Sequence, residues 1–138
     1  MTLPLRHPQL YAEQGAGDLP QAPALRGVRC RCGHVAFPPQ HQGCEVCGAH
    51  GEALEDVLLR GAGRLLASAT VHRHGAEHPP VPFTVAELAL DDGPVVRGLL
   101  ASSAPAGLAP GARLVALLEE VRIGDHALRD LRFAPKES

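Results

Sequence analysis

A chain of 138 residues has room for one ordinary domain, or a small domain with an appendage. Its formal charge of −2 gives no electrostatic reason to expect a polyanionic partner. Apolar residues make up 45%, but with no Trp, one Tyr and three Phe the core must be filled by Leu, Val and Ala, and thirteen Pro with fifteen Gly argue against a helical bundle.

Residues 1–27 read as an arm rich in Pro, Gln and Gly. Pro8 suits the first turn of a short helix, and Gly15 would stop it after Gln14. So short a helix is marginal in water and needs something to lie against. The opening MTLPLRHPQLYAEQ has no basic cap followed by an apolar run of signal-peptide length, and nothing approaches the roughly 20 apolar residues of a membrane helix. The expectation is a cytoplasmic protein with no membrane partner. In that compartment paired cysteines more often bind metal than form disulfides.

Residues 28–52 hold all four cysteines, in the stretch CRCGHVAFPPQHQGCEVCG. Val28–Cys30 and Val35–Phe37 predict two short strands around a tight Cys32-Gly33 turn, the second ended by Pro38-Pro39. Two short cysteine pairs, each followed by Gly and separated by a Pro-containing hairpin, form a metal-ribbon signature. The glycines allow positive φ, so that amides can point at thiolate sulfur. Cys30, Cys32, Cys44 and Cys47 would close a zinc tetrahedron with bonds near roughly 2.3 Å and no open position, which makes such zinc structural. Iron in a rubredoxin-like site uses the same ligands and stays an alternative. A Cys30–Cys32 disulfide would be a strained ring. In an extended segment Cys30 and Cys32 project to the same side, which would let both face one ion, whereas Cys44 and Cys47 need a turn. His34, His41 or His50 replacing a cysteine is the competing ligand set; otherwise they are exposed hairpin residues.

Residues 53–138 read as all-β. Arg64–His72 alternates, with Leu65, Ala67, Ala69 and Val71 on one face and Ser68, Thr70 and His72 on the other. Phe83–Leu90 follows, ending in an Asp91-Asp92-Gly93 hairpin turn, and Pro94–Ala101 pairs back. Ser102–Gly111 is a connection, and Arg113–Val121 and Leu128–Phe133 complete five strands. That order matches a five-stranded barrel of the OB type, with a generic small β-barrel as the competing reading. The expected fold is therefore mostly β: a helical piece, a rubredoxin-like ribbon and an OB barrel.

Outside the cysteines, catalytic signals are thin. His72, His74 and His78 cluster in HRHGAEH, where a second metal or an acid–base pair competes with plain loop histidines. Glu119 and Glu120 neighbour each other on a strand and so point to opposite faces, which disfavours a dyad. There is no phosphate loop, no nucleophile elbow and no nucleophile with an evident base. Single-stranded nucleic acid, a frequent OB ligand, would have only Phe83 and Phe133 to stack on, and both suit the core better.

The segments RCRCGHVAFPPQ and CEVCG, then GAGRLLASATVHRH, PPVPFTVAELALDDGPVVRGLL and LAPGARLVALLEEV together resemble the zinc-ribbon/OB-fold acyl-CoA-associated proteins. The likeness runs from about Val28 to Phe133; the usual Cys-x-x-Cys of the first knuckle is one residue shorter here, Cys30-Arg31-Cys32. It implies a non-catalytic accessory subunit of a thiolase-superfamily enzyme or a related side-chain aldolase. The barrel would dock the partner and border its CoA-thioester channel, and the partner would own the catalytic residues. Arg73 and Arg97 are weak candidates for CoA phosphates, against a plain reading as solvated surface charges.

Overall fold

The computed structural model describes residues 2–105 and 107–136. Met1, Ala106, Glu137 and Ser138, which fall in the expected arm, connection and barrel tail, lie outside the described residues.

The strands form two antiparallel sheets. The first is built around β2 (Ala24–Cys30). Its one edge pairs with β1 (Tyr11–Ala12) and β3 (Val35–Ala36), and its other edge with β4 (Leu54–Leu59), from Leu25 opposite Leu59 to Cys30 opposite Leu54. The second sheet has the order β7-β6-β5-β8-β9, with β5 at Ala62–Val71, β6 at Phe83–Leu90, β7 at Val95–Leu99, β8 at Arg113–Ile123 and β9 at His126–Pro135. It curls until β7 meets β9: Leu100 bridges Phe133, and the Ala101 amide donates to the Phe133 carbonyl at 2.8 Å. The result is a nearly closed five-stranded, OB-like barrel. Closure is tight enough to require Gly98, where an added Cβ would come within 2.6 Å of the Phe133 ring.

The arm corrects one expectation. No α-helix forms around Pro8–Gln14; among the described residues the one helical element is a 3-10 turn at Gly51–Ala53. Instead the Leu10 and Tyr11 amides close a turn on the His7 carbonyl, and the chain then pairs as β1. Pairing wins because it buries Tyr11 and Ala12 to about 5% exposure and seats the Tyr11 hydroxyl on Asp130. A helix of seven residues would leave most of its backbone groups unpaired at its ends.

β4 is an addition, since LEDVLL carries little alternation and joins the first sheet rather than the barrel. β5 holds a second surprise. A bulge between Leu65 and Ala67 sets Leu65 opposite Leu88 but Ala67 opposite Glu87. Ala67 and Ala69 therefore leave the face on which Leu65 is buried, contrary to plain alternation. The core is Leu-rich, as the composition requires: Leu59, Leu65, Leu88 and Leu114 surround Phe133. Only Arg60 and Gly61 separate β4 from β5. Arg60 grips Asp92 of the β6–β7 turn with its amide at 2.7 Å and two guanidinium bonds at 3.1 and 2.9 Å, and also reaches Asp18. No helix is long and apolar enough to cross a membrane among the described residues.

Candidate metal centre and barrel cavity

Cys30 is the last residue of β2, and Cys32 stands in the turn that follows. The Gly33 amide returns to the Cys30 carbonyl and the Cys30 amide takes the His34 carbonyl, both at 2.8 Å. The extended same-side pair expected for Cys30-Arg31-Cys32 is therefore replaced by a tight turn, whose reversal at Gly33 needs φ near 101°. The second knuckle is a matching turn: the Gly48 amide donates to the Cys44 carbonyl, and Gly48 has φ 78°.

The two turns face each other. Cys30 Sγ lies 3.5 Å from Cys47 Sγ, Cys32 Sγ lies 3.7 Å from Cys44 Sγ, and all four sulfurs lie within 4.8 Å of one another. The thiols are free, and these separations far exceed a disulfide bond of about 2.05 Å. A tetrahedron with metal–sulfur bonds near 2.3 Å has edges of about 3.8 Å. The residues fit such an ion in number, softness and spacing, so these four cysteines can hold a metal. The Val46 amide donates to Cys44 Sγ at 3.4 Å, the second-sphere bond that steadies a thiolate.

The protons tell the same story. Amides of Cys47 and Val46 draw the Cys44 thiol down to about 6. At Cys30 the Cys32 amide also pulls downward, but burial and the shared hydrogens of Cys47, Cys32 and Cys44 outweigh it and push the thiol up to about 12. Four sulfurs this close do not all ionise unless a cation takes the place of the shared protons. The nearby histidines point elsewhere: His34 Nε2 meets Glu45 at 2.7 Å, His41 Nε2 meets Asp56 at 2.6 Å, and His50 is exposed.

A cavity of about 580 Å³ opens at the side of the barrel, walled by Pro79, Phe83, Leu99, Leu100 and Val121 and floored by Arg132. Arg132 is 4% exposed and donates to Asp130 at 2.6 Å. Asp130 also accepts from Tyr11 at 2.9 Å and from Arg6 at 3.1 Å, which ties the arm to β9. Burial alone would raise the Asp130 carboxyl, but Arg132, Tyr11 and Arg6 outweigh it and hold it below the usual carboxylate range. Burial pushes Tyr11 up to about 12. His78 lines the same cavity, with Nε2 buried and lacking a hydrogen-bond partner. Burial lowers its pKa, and the charges of Arg6 and Arg132 lower it further. The sequence singles out His78 but not Arg132 and Asp130 or, far from them along the chain, Tyr11 and Arg6.

The remaining candidates are scattered. His74 packs edge-on against Phe83 with centroids 5.3 Å apart, and its Nε2 faces the His78 carbonyl at 3.3 Å; His72 is exposed. Glu119 accepts from the Ser102 amide and hydroxyl at 2.9 and 2.8 Å, while Glu120 is exposed at the cavity rim. Phe133 is 1% exposed and so closed to stacking with a base. Arg97 is paired across the sheet with Glu87 at 3.3 Å, and Arg73 is exposed past the end of β5.

No protein-family model matches the chain, and no curated protein sequence matches it. Among solved structures, a chain of the Ltp2-ChsH2(DUF35) aldolase matches with a TM-score of 0.59 and 23% identity, over 79% of this chain and 84% of that one. What the likeness establishes is the fold: the course of this chain is similar to that of a chain in an aldolase assembly.

Proposed function

We propose that this chain is a non-catalytic, zinc-binding accessory subunit of a cytoplasmic thiolase- or aldolase-type acyl-CoA complex. The single observation that carries the reading is the joint presence of a closed four-cysteine cluster and an OB-like barrel on the fold of an Ltp2-ChsH2(DUF35) aldolase chain. Cys30, Cys32, Cys44 and Cys47 hold structural zinc within residues 28–52. Residues 53–138 dock the catalytic subunit, and residues 1–27 brace the barrel through Arg6 and Tyr11. A coordination sphere filled by four thiolates offers no place for a substrate or water, so the chemical step belongs to the partner. Arg73 and Arg97 are the cations that would border a CoA-thioester channel, Arg97 while still paired with Glu87.

The test is co-expression with a thiolase-superfamily enzyme from the same genome, beginning with any encoded beside it. The reading expects the two chains to co-elute, the enzyme to lose activity or stability when purified alone, and about one zinc per accessory chain by elemental analysis. Separate elution with an enzyme indifferent to this chain would refute it. A coloured protein carrying iron would overturn the zinc assignment alone.

A further inference from the structure

We infer that the outer edge of β5 is a strand-addition site for an extended segment of a partner protein, one that is uncharged at its centre and carries carboxylates at its ends. Where that segment belongs to the catalytic subunit, the inference rests on the accessory-subunit reading.

β5 is covered on this edge only at its beginning. β8 pairs with Ala62–Arg64, and the connection adds bonds from Leu65 to Ala112 and from Gly111 to Leu65. Beyond that point Leu66, Ala67, Ser68, Ala69 and Thr70 are all exposed, Leu66 to 44%. The orientation of the backbone follows from β6. The Thr84 carbonyl accepts from the Leu100 amide, so Thr84 faces β7, and its partner Thr70 must face away from β6. Two residues back, Ser68 opposite Ala86 does the same. Their two amides and two carbonyls point outward with no backbone partner among the described residues. An exposed edge of this kind is what β-augmentation uses.

The edge also lacks the usual protection. Between Leu66 and Val71 there is no Pro, no Lys and no other charge. Cations flank it instead: Arg64 at one end, Arg73 between His72 and His74 at the other, all exposed. The nearest carboxylate, Glu87, is engaged by Arg97. A second copy is the wrong occupant. The two-fold antiparallel registers centred on Ser68 or Ala69 set Arg64 of one copy opposite His72 or His74 of the other, one residue from its Arg73, so cations crowd both ends with no carboxylate between them. An acid-ended strand meets opposite charge there.

The experiment uses the full-length, metal-loaded chain and a synthetic heptapeptide, acetyl-Glu-Val-Thr-Val-Thr-Val-Glu-amide. The peptide should slow amide exchange at Ser68 and Thr70, with Ala69, already bonded to β6, unchanged. The version with Lys at both ends should bind about tenfold more weakly. Thr70→Pro removes one outward donor and should cost about tenfold in affinity. Ala69→Glu leaves every backbone donor in place and should weaken the acidic peptide several-fold through repulsion, which guards against a misfolded proline variant. Unchanged exchange at Ser68 and Thr70, or self-association that Thr70→Pro abolishes, would overturn the proposal. If a catalytic subunit co-elutes equally with the wild type and with Thr70→Pro, the edge assignment fails and the accessory reading survives. If none co-elutes but the peptide still protects the two amides, the accessory reading fails and the edge stands.

Discussion

The two sheets of this molecule are held together by different physics. In the barrel, Leu65, Leu88, Leu90, Val96, Leu114 and Phe133 are buried against one another and against Leu25 and Leu59 of the first sheet. Past the end of β2, from Arg31 through the rest of the ribbon to Leu58, Cys44 is the one buried residue. A segment of that length with so little apolar burial does not repay the entropy of ordering its backbone. The barrel stands on packing, whereas the ribbon has little packing and four sulfurs grouped closely enough to hold a metal ion. Adjacent pieces of one chain can thus meet the same entropic demand in unrelated ways, and they should fail under unrelated treatments.

On the accessory-subunit reading, which puts zinc on the four sulfurs, the largest effect expected is loss of that metal. Structural zinc contributes about 10–16 kcal/mol of apparent binding energy in small ribbons, more than the net stability of most domains. Stripping it with a chelator, or Cys47→Ser, should release amide protection across residues 31–53 while β5–β9 stay protected. A single cooperative loss of both regions in the exchange profile would show that ribbon and barrel are not held separately. Next comes Phe133→Ala, which empties the centre of the barrel and should cost about 3–5 kcal/mol in denaturant titrations without changing metal content.

Asp130→Asn should cost about 3 kcal/mol, because it removes the nearer carboxylate of the buried Arg132 guanidinium and leaves it Glu119 at 3.7 Å. The same pair sets the acid limit. The folded Asp130 carboxyl is held below its unfolded value, so its contribution is complete above the ordinary carboxylate range and is lost as pH falls through the depressed value. Asp91 and Asp92 shift in the same direction, the first through Arg113, the second against its burial through Arg60, and add to that loss. A wild-type acid titration followed by circular dichroism should therefore show a steeper decline than that of Asp130→Asn. The smallest effect is Gly98→Ala, about 1–3 kcal/mol, since the added methyl must displace the Phe133 ring at 2.6 Å. A doubly substituted Gly98→Ala, Phe133→Leu chain should recover part of it, and strict additivity would refute that account.

Local patterns were legible in the sequence and distant pairings were not. Cysteine spacing and following glycines are local, so the four sulfurs could be grouped without coordinates. Period-two alternation and the Asp91-Asp92-Gly93 turn likewise marked the five barrel strands to within a few residues. β1 was hidden because Tyr11 and Ala12 become a strand only when Ala24 and Leu25 lie beside them. The bulge at Leu65–Ala67 was hidden because register belongs to the pair of strands and not to either one. The buried Arg132–Asp130 pair has no local signature, since burial of charge is decided by tertiary partners, here Arg6 and Tyr11. The tight turn at Cys32-Gly33 is local and legible, whereas the extended Cys30–Cys32 pair is not what forms: one intervening residue permits both an extended and a turned geometry, and the opposing knuckle selects between them.

Arg60 gives the fold a property that neither sheet has alone. With a two-residue link and a guanidinium fastened to Asp92, the ribbon and the barrel have little freedom to turn against each other. A body that binds through patches on both pays the loss of rotation and translation once. After one patch engages, the other is already delivered at a high effective concentration. Two individually feeble contacts can then hold a complex that neither would sustain. Replacing Arg60 would free the ribbon to turn against the barrel without altering the surface of either.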